Sequence, residues 1–329
     1  MTGIRKLGKK IPGTVYGIVA MFVFFTLLNH KFIGIGNFQN ILKNAAVLAI
    51  VSMGAGMAIL SAKIDLSIGY VMSLSAIVCA KYIVAFDQST TGNILVGILL
   101  GILVGALFGL FNGIMIGRFK FDYWLITFAS MSIAQGLSQV VSDGKIISGY
   151  GKAFRAIAST EILGFDSVIW IAVLLCAAAI FLSTKTRFGY AIYAVGDSEE
   201  CAFKSGINVC KVRILIYMLS GIFAGIGGIL LAAKTNSASA TLGSGYEFNA
   251  IAAVIVGGTP SEGGKGGLAK TALGAILITV LKSGLQFSGL DTYWQTLLIG
   301  IFIMAVVVID VLSTKAAHRR EARRVYRDE

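Results

Sequence analysis

The sequence predicts an all-α, polytopic membrane protein of about ten transmembrane helices, and three observations carry that prediction. Of 329 residues, 56% are hydrophobic and 13% charged, about half the charge of an ordinary soluble domain. Apolar runs long enough to cross a bilayer recur along the whole chain. The Lys and Arg residues gather at a few places instead of being spread over a surface.

The first run, Thr14 to Leu28, follows a basic start at Arg5, Lys6, Lys9 and Lys10, as a secretory signal would. It passes into Asn29-His30-Lys31 without a small-residue cleavage site, so it reads as a retained span. Residues 45 to 86 are almost wholly apolar, and a stretch of about forty residues is twice what one span needs. It therefore divides into two helices, 45–62 and 66–86, that meet at Lys63-Ile64-Asp65-Leu66-Ser67. Runs at 94–117, 122–140, 166–183, 214–233, 268–286 and 292–312 bring the spans to nine. Both termini are basic, the second through Lys315, Arg319, Arg320, Arg323, Arg324 and Arg327, which puts both on the inner side and makes the number of crossings even. Phe248 to Gly257 is then the tenth, with eight crossings and two re-entrant runs as the alternative. In the ten-span arrangement nineteen Lys and Arg fall inside and eight outside, with Lys63 ambiguous. The chain divides into a basic N-terminus (1–13), a first membrane half (14–183), an inner loop (184–213), a second half (214–312) and a basic tail (313–329).

The net charge of +12 would suggest nucleic acid in a soluble protein; here the positive-inside pattern accounts for it. Four cysteines, Cys79, Cys176, Cys201 and Cys210, show no CxxC spacing and indicate neither a disulfide nor a metal site. Both histidines, His30 and His318, lie outside the spans, and no GxSxG nucleophile motif is present, so no catalytic residues are assigned. Gly264-Lys265 is not a phosphate loop, because GxxxxGK[ST] needs Gly at Thr259 and Ser or Thr at Gly266. The chain therefore has no ATPase motif of its own.

Two regions depart from plain spanning helix. One is the break at Lys63 to Gly69; ionisable groups in lipid cost roughly 2.5–3.5 kcal/mol each and normally face water, a partner or a solute. The other is Gly257 to Gly267, whose six glycines and Pro260 oppose continuous helix. Interrupted segments in both halves point to a transporter's internal repeat and its binding site. Two plainer readings stand beside this one: a solvated hairpin at Lys63 and Asp65, and glycines that serve close helix packing. In the inner loop, Asp197 as N-cap with Glu200 as capping-box partner and Gly206 as left-handed stop predict a short helix. Such a helix is too short to stand alone. Phe203 and Ile207 would rest it on the membrane domain or on a partner.

At these residues a family resemblance becomes specific. Ile64-Asp65-Leu66-Ser67-Ile68-Gly69 resembles the Gly-Ile-Asp-Leu-Ser-Val-Gly signature of ribose-type permease subunits of ATP-binding-cassette importers. Four further stretches resemble the same family in the same order: Asn112-Gly113; Tyr193 to Gly196 with Ser205 to Asn208; Tyr246 to Val254; and Gly257-Gly258-Thr259 before Gly263 to Gly266. The resemblance implies a subunit of the bacterial cytoplasmic membrane that works with a second permease copy, identical or paralogous. It also implies a cytoplasmic ATPase that binds ATP and Mg, and an extracytoplasmic sugar-binding protein. No cofactor is implied for this chain itself. Asp197, Glu199, Glu200, Ala202, Lys204 and Gly206 would form the ATPase-coupling loop, partly resembling the EAA loop of importer permeases, although Cys201 stands for its central alanine and its closing Leu-Pro is absent. Lys63, Asp65, Ser67, Asn112, Glu247 and Asn249 are the candidates for the solute pathway or for support of the helix breaks. Lys63 stands where the family commonly has Gly, and Asn249 where it commonly has Asp, which makes the region less negative and raises an anionic solute. Nucleosides, branched-chain amino acids or an autoinducer are alternative cargoes, and an ion-coupled transporter titrating Asp65 and Glu247 is the rival mechanism.

Overall fold

The computed structural model describes residues 13–86 and 90–325. The basic residues Arg5 to Lys10, and Arg327 in the tail, lie outside these. In chain order the helices are α1 (Gly13–Leu28), α2 (Ile35–Leu60), α3 (Ile68–Ala85), α4 (Thr91–Gly117), α5 (Tyr123–Ser142), α6 (Lys152–Ser159), α7 (Ser167–Lys185), α8 (Arg187–Asp197), α9 (Glu199–Lys204), α10 (Val209–Thr235), α11 (Tyr246–Val256), α12 (Leu268–Phe287) and α13 (Thr292–Val325). Eight of them, α2 to α5, α7, α10, α12 and α13, are long and apolar enough to cross a membrane; α1 and α11 are shorter apolar helices. The protein is a multi-pass, all-α membrane protein. One end of the bundle, the loop end, carries α8 and α9. The far end carries two small antiparallel ribbons, β1 (Ile147–Ser148) with β4 (Ser237–Ala238) and β2 (Glu161–Ile162) with β3 (Phe165–Asp166). Thr14 at the start of α1 donates to the Val256 carbonyl at 2.9 Å, and Asp310 on α13 accepts from Ser261, so the chain both starts and finishes its passes at the loop end.

Helix α10 is the centre, packed against α4, α2 and α3. Its seam with α4 is made by glycine. Gly97, Gly101, Gly105, Gly109, Gly113 and Gly117 recur every fourth residue and so share one helix face. A Cβ on Gly113 would stand 2.7 Å from the Ile214 Cα, and one on Gly117 3.0 Å from the Cys210 carbonyl oxygen. The two backbones touch directly, as in small-xxx-small membrane pairs, where dispersion and not hydrophobicity holds helices together. Polar side chains set the ends: Asp122 caps α5 through Trp124 N at 2.8 Å, Thr186 caps α8 through Gly189 N at 3.1 Å, and Asn208 caps α10 through Lys211 N at 3.0 Å.

The depth of each break follows from what it touches along α10. At about 1.5 Å per residue, the 27 residues of α10 extend about 40 Å. Leu60, the end of α2, lies at the loop end, where its carbonyl accepts from Gly264 N at 2.9 Å. Met72 in α3 packs its backbone on Gly228 of α10, about 28 Å up that helix, which places Ile68 near ~22 Å, at half depth. Residues 61–67 therefore rise towards half depth without regular helix, through a turn at Ser61 and Ala62, where Ala62 has φ +59°, and a second turn in which Asp65 Oδ1 accepts from Ser67 N. The second half repeats this in the opposite sense. After β4 at the far end, residues 239–245 return inward until Gly243 meets Gly69 and donates its N–H to Ser73 Oγ at 2.9 Å. Helix α11 then starts beside Gly69 and runs to the loop end. The partner of the Lys63–Gly69 break is thus residues 239–245. Gly257 to Gly267 is instead a surface turn at the loop end, folded on the start of the first break through Gly263 and Ala62; Gly263, Gly264 and Gly266 have positive φ there.

Among the boundaries that differ from the sequence reading, α13 runs on to Val325 instead of ending at 312, and three others bear on the site. Helix α2 starts at Ile35 instead of 45 and α10 at Val209 instead of 214, because both extend past the apolar run on polar turns capped or packed by neighbours. The inner loop holds two helices, and the N-cap of the second is Ser198, whose Oγ accepts from Cys201 N at 3.2 Å. Asp197 cannot take that role because it ends α8. Glu200 pairs with Lys204 at 2.6 Å instead of closing a capping box.

Candidate functional site

The non-helical climb is held by a buried polar network. Asp65 Oδ1 accepts from Ser67 N at 3.0 Å and from Ser67 Oγ at 2.6 Å, and Asp65 Oδ2 accepts from Ser220 Oγ of α10 at 2.7 Å. Asn112 Nδ2 of α4 donates to Ser67 Oγ at 3.0 Å, and Ser130 of α5 donates to Asn112 Oδ1 at 2.5 Å. Tyr217 donates to the Ile64 carbonyl at 3.2 Å. Asp65, Ser67, Asn112, Ser130 and Ser220 are all at most 2% exposed. Three helices are thus tied to one stretch of non-helical backbone, which is how unpaired peptide groups are tolerated at membrane depth.

Glu247 sits in the first turn of α11, where Oε1 accepts from Gly245 N at 3.2 Å and Oε2 lies against Gly69 without a hydrogen-bond partner. Asn249, two residues and about half a turn on, faces a different space. It lines a chamber of about 270 Å³ at the far end, with Asn40 and Asn44 of α2, Thr279 and Lys282 of α12, and Gln295 of α13. The chamber runs from near half depth at Asn249 to the far surface. Lys234 of α10 donates to Asn44 Oδ1 on its wall.

At the loop end Lys63 stands apart from Asp65. Its ammonium lies 4.7 Å from the centre of the Tyr123 ring, in a small polar cleft with Asp122, Glu199 and Arg213. Burial, and then the neighbouring Arg213 guanidinium, push its pKa below the ordinary lysine value against the pull of Glu199 and Asp122. Arg213, 6% exposed, pairs with Glu199 at 2.5 Å and so ties α9 to α10. Tyr193 of α8 donates to the Gly266 carbonyl at 3.3 Å, and burial raises its pKa. Beside α9 a groove of about 640 Å³ is lined by Lys120, Glu199, Glu200, Phe203 and Ile207. Ala202 is buried and anchors α9, Gly206 ends it at φ +83°, and Phe203 is 72% exposed. Phe203 therefore does not rest on the membrane domain.

The sequence-derived pathway residues thus fall in three places. Asp65, Ser67 and Asn112 join one sealed network, Glu247 closes the facing half-helix start, Asn249 alone lines the far-end chamber, and Lys63 belongs to the loop-end cleft. Ser130 and Ser220 escaped notice as single hydroxyls in apolar runs. Asn40 and Asn44, four residues apart and hence on one helix face, carried a legible signal that the late start assigned to α2 concealed.

The chain matches the family described as branched-chain amino acid transport system / permease component over residues 37–307. It is 35% identical to the ribose import permease protein RbsC of Bacillus subtilis (strain 168), covering 91% of this chain and 92% of that one. It is 31% identical to the D-allose transport system permease protein AlsC of Escherichia coli (strain K12), covering 89% of each. Identity to the galactose/methyl galactoside import permease protein MglC of the same strain is 32%, over 85% of this chain and 88% of that one.

Proposed function

The chain belongs to the branched-chain amino acid transport system / permease component family, and we propose that it is the membrane subunit of an ATP-binding-cassette importer that carries a monosaccharide or a derivative of one inward. Similarity to permeases of ribose, allose and galactose import supports the cargo class. The single observation that carries the mechanism is α9. It is a short helix anchored by Ala202 and Arg213, and it offers Phe203, Glu199 and Glu200 on an exposed groove.

In this reading the loop end is cytoplasmic, both termini lie there, and the membrane is the bacterial cytoplasmic membrane. A separate ATPase, which binds ATP and Mg, docks its surface on α8 and α9. Its closure moves α9, and the Glu199–Arg213 pair carries that motion into α10. From α10 the motion reaches the 61–67 climb through the bonds of Tyr217 to Ile64 and Ser220 to Asp65. The glycine seam of α4 on α10 suits sliding, because no long side chains interlock across it. Lys282 and Gln286 are exposed on the protomer within or near the outer leaflet, where lipid would not solvate them. A second permease copy covers that side and completes the water path, with a sugar-binding protein delivering solute at the far end. The chain itself is a transport subunit and not an enzyme.

Purification of the tagged chain from gently solubilised membranes tests this. Co-purification of an ATPase at one to one, with ATP hydrolysis in the same sample, is expected. A sample free of ATPase that still transports solute when the proton gradient is imposed overturns the reading in favour of ion coupling.

A further inference from the structure

We infer that the far-end chamber selects solutes that carry a negative charge as well as hydroxyl groups, sugar acids in chemical terms, with Lys282 as the anchoring cation. The inference rests on the importer reading and names the cargo class within it.

The chamber wall holds amides and hydroxyls from four helices, among them Asn40, Asn44, Asn249, Thr279 and Gln295, which can donate to and accept from a polyol. Its one ionised residue is Lys282, and no Asp or Glu lines it. Among the described residues Lys282 makes no ion pair and no hydrogen bond. A second ammonium, Lys234, reaches the wall through Asn44. The nearby acid Asp166 is already engaged by Lys43 at 2.6 Å. Glu247, although in the same helical turn as Tyr246 of the wall, turns its carboxylate to Gly245 and Gly69. The site therefore has a surplus of positive charge, which the second permease copy of the importer reading would enclose in a low-dielectric wall. An ammonium there gains most from a ligand carboxylate through a charge-assisted hydrogen bond, while a neutral sugar leaves it uncompensated. A lysine that merely extended to the far surface would be indifferent to the charge of the solute, and this difference is measurable.

The test uses proteoliposomes that contain the permease with its co-purified ATPase and binding protein. They are offered an isotopically labelled mixture of D-ribose, D-galactose, D-ribonate and D-galactonate, and the accumulated solutes are read by mass spectrometry with and without ATP. ATP-dependent enrichment of the aldonates over the aldoses is expected. K282Q should lower aldonate accumulation roughly tenfold or more, the scale of a lost hydrogen bond to a charged group, while K282R restores much of it. Accumulation confined to the neutral sugars, or aldonate uptake indifferent to K282Q in a complex that still assembles, overturns the charge selection and leaves the importer standing. Absence of ATP-dependent accumulation of any solute overturns the importer reading, and the inference with it.

Discussion

Asp65→Ala separates a staple from a pathway wall. The carboxylate accepts three hydrogen bonds, two from Ser67 and one from Ser220, and all three residues are at most 2% exposed. Side-chain hydrogen bonds in membrane proteins average about 0.6 kcal/mol and reach about 1.7, so removal of three costs about 2–5 kcal/mol. At roughly 2–4 °C per kcal/mol, the apparent melting temperature of the purified protein in detergent should fall by about 5–15 °C. Asn112 touches the same Ser67 hydroxyl, so Asp65→Ala and Asn112→Ala should be non-additive by at least ~0.5 kcal/mol, as residues of one network are. The assay is thermal unfolding followed by size-exclusion chromatography on the two single variants and the double variant. A melting temperature within about 1 °C of the parent, or strict additivity, refutes the staple. So does an Asp65→Asn variant of parental stability whose solute preference changes, since that outcome belongs to a residue lining the path.

Three further outcomes follow from the same structure. Gly113→Leu should separate α4 from α10 and cost at least about 1–3 kcal/mol by overpacking, since even a Cβ there meets the Ile214 backbone at 2.7 Å, whereas Gly136→Ala, with nothing within 4 Å, should be no less stable than the parent in the same melt. Glu200→Lys removes an exposed pair with Lys204 worth only about 0.3–0.5 kcal/mol, so folding and insertion should be unchanged while ATPase co-purification and ATP-driven uptake fall; normal uptake would count against docking at α9. Lys63, whose pKa in the folded protein is below 10.5, carries a burial cost that is fully present at neutral pH and is relieved as pH rises through the folded value towards 10.5. The melting temperature of the parent should therefore rise relative to Lys63→Gln over that alkaline range, and a constant difference between the two would refute the depressed pKa.

Much of the fold was legible because a bilayer reads composition directly. Twenty apolar residues cross it whatever their neighbours are, so the eight long apolar helices, the shorter apolar helix near 248–257 and the irregular backbone at Lys63 to Gly69 could be read from one dimension. The left-handed stop at Gly206 was equally local. Capping was less secure: Asp197 and Ser198 are both good caps, and only the turn between α8 and α9 decides that Ser198 takes the role.

The candidate site was legible in its residue types and not in its groupings. Asp65 and Ser67 adjoin in the chain, but Ser220, Asn112 and Ser130 reach them across 155, 45 and 18 positions of sequence or network. Lys63, two residues from Asp65, belongs to another cleft because the non-helical backbone between them rises from the loop end, where Lys63 meets Tyr123, to the level of Ser220, where Asp65 is bound. The chamber was hidden altogether, since it takes residues from four helices and no short window contains it.

The sequence by itself determined that this chain crosses a membrane many times, that its backbone breaks near Asp65, and that a polar stretch interrupts the apolar runs between α7 and α10, because those properties depend on local hydrophobicity, charge and glycine content. Only the tertiary structure decided that α3 and α11 begin face to face at half depth, that Asp65 is bound to α10 directly and to α4 and α5 through Ser67 and Asn112, and that Lys282 stands without a counter-charge in a chamber of amides. Depth, partnership and charge balance depend on which helices meet, and that is set by close packing of backbones along seams such as Gly101 to Gly117 against α10, where a single Cβ would change the answer.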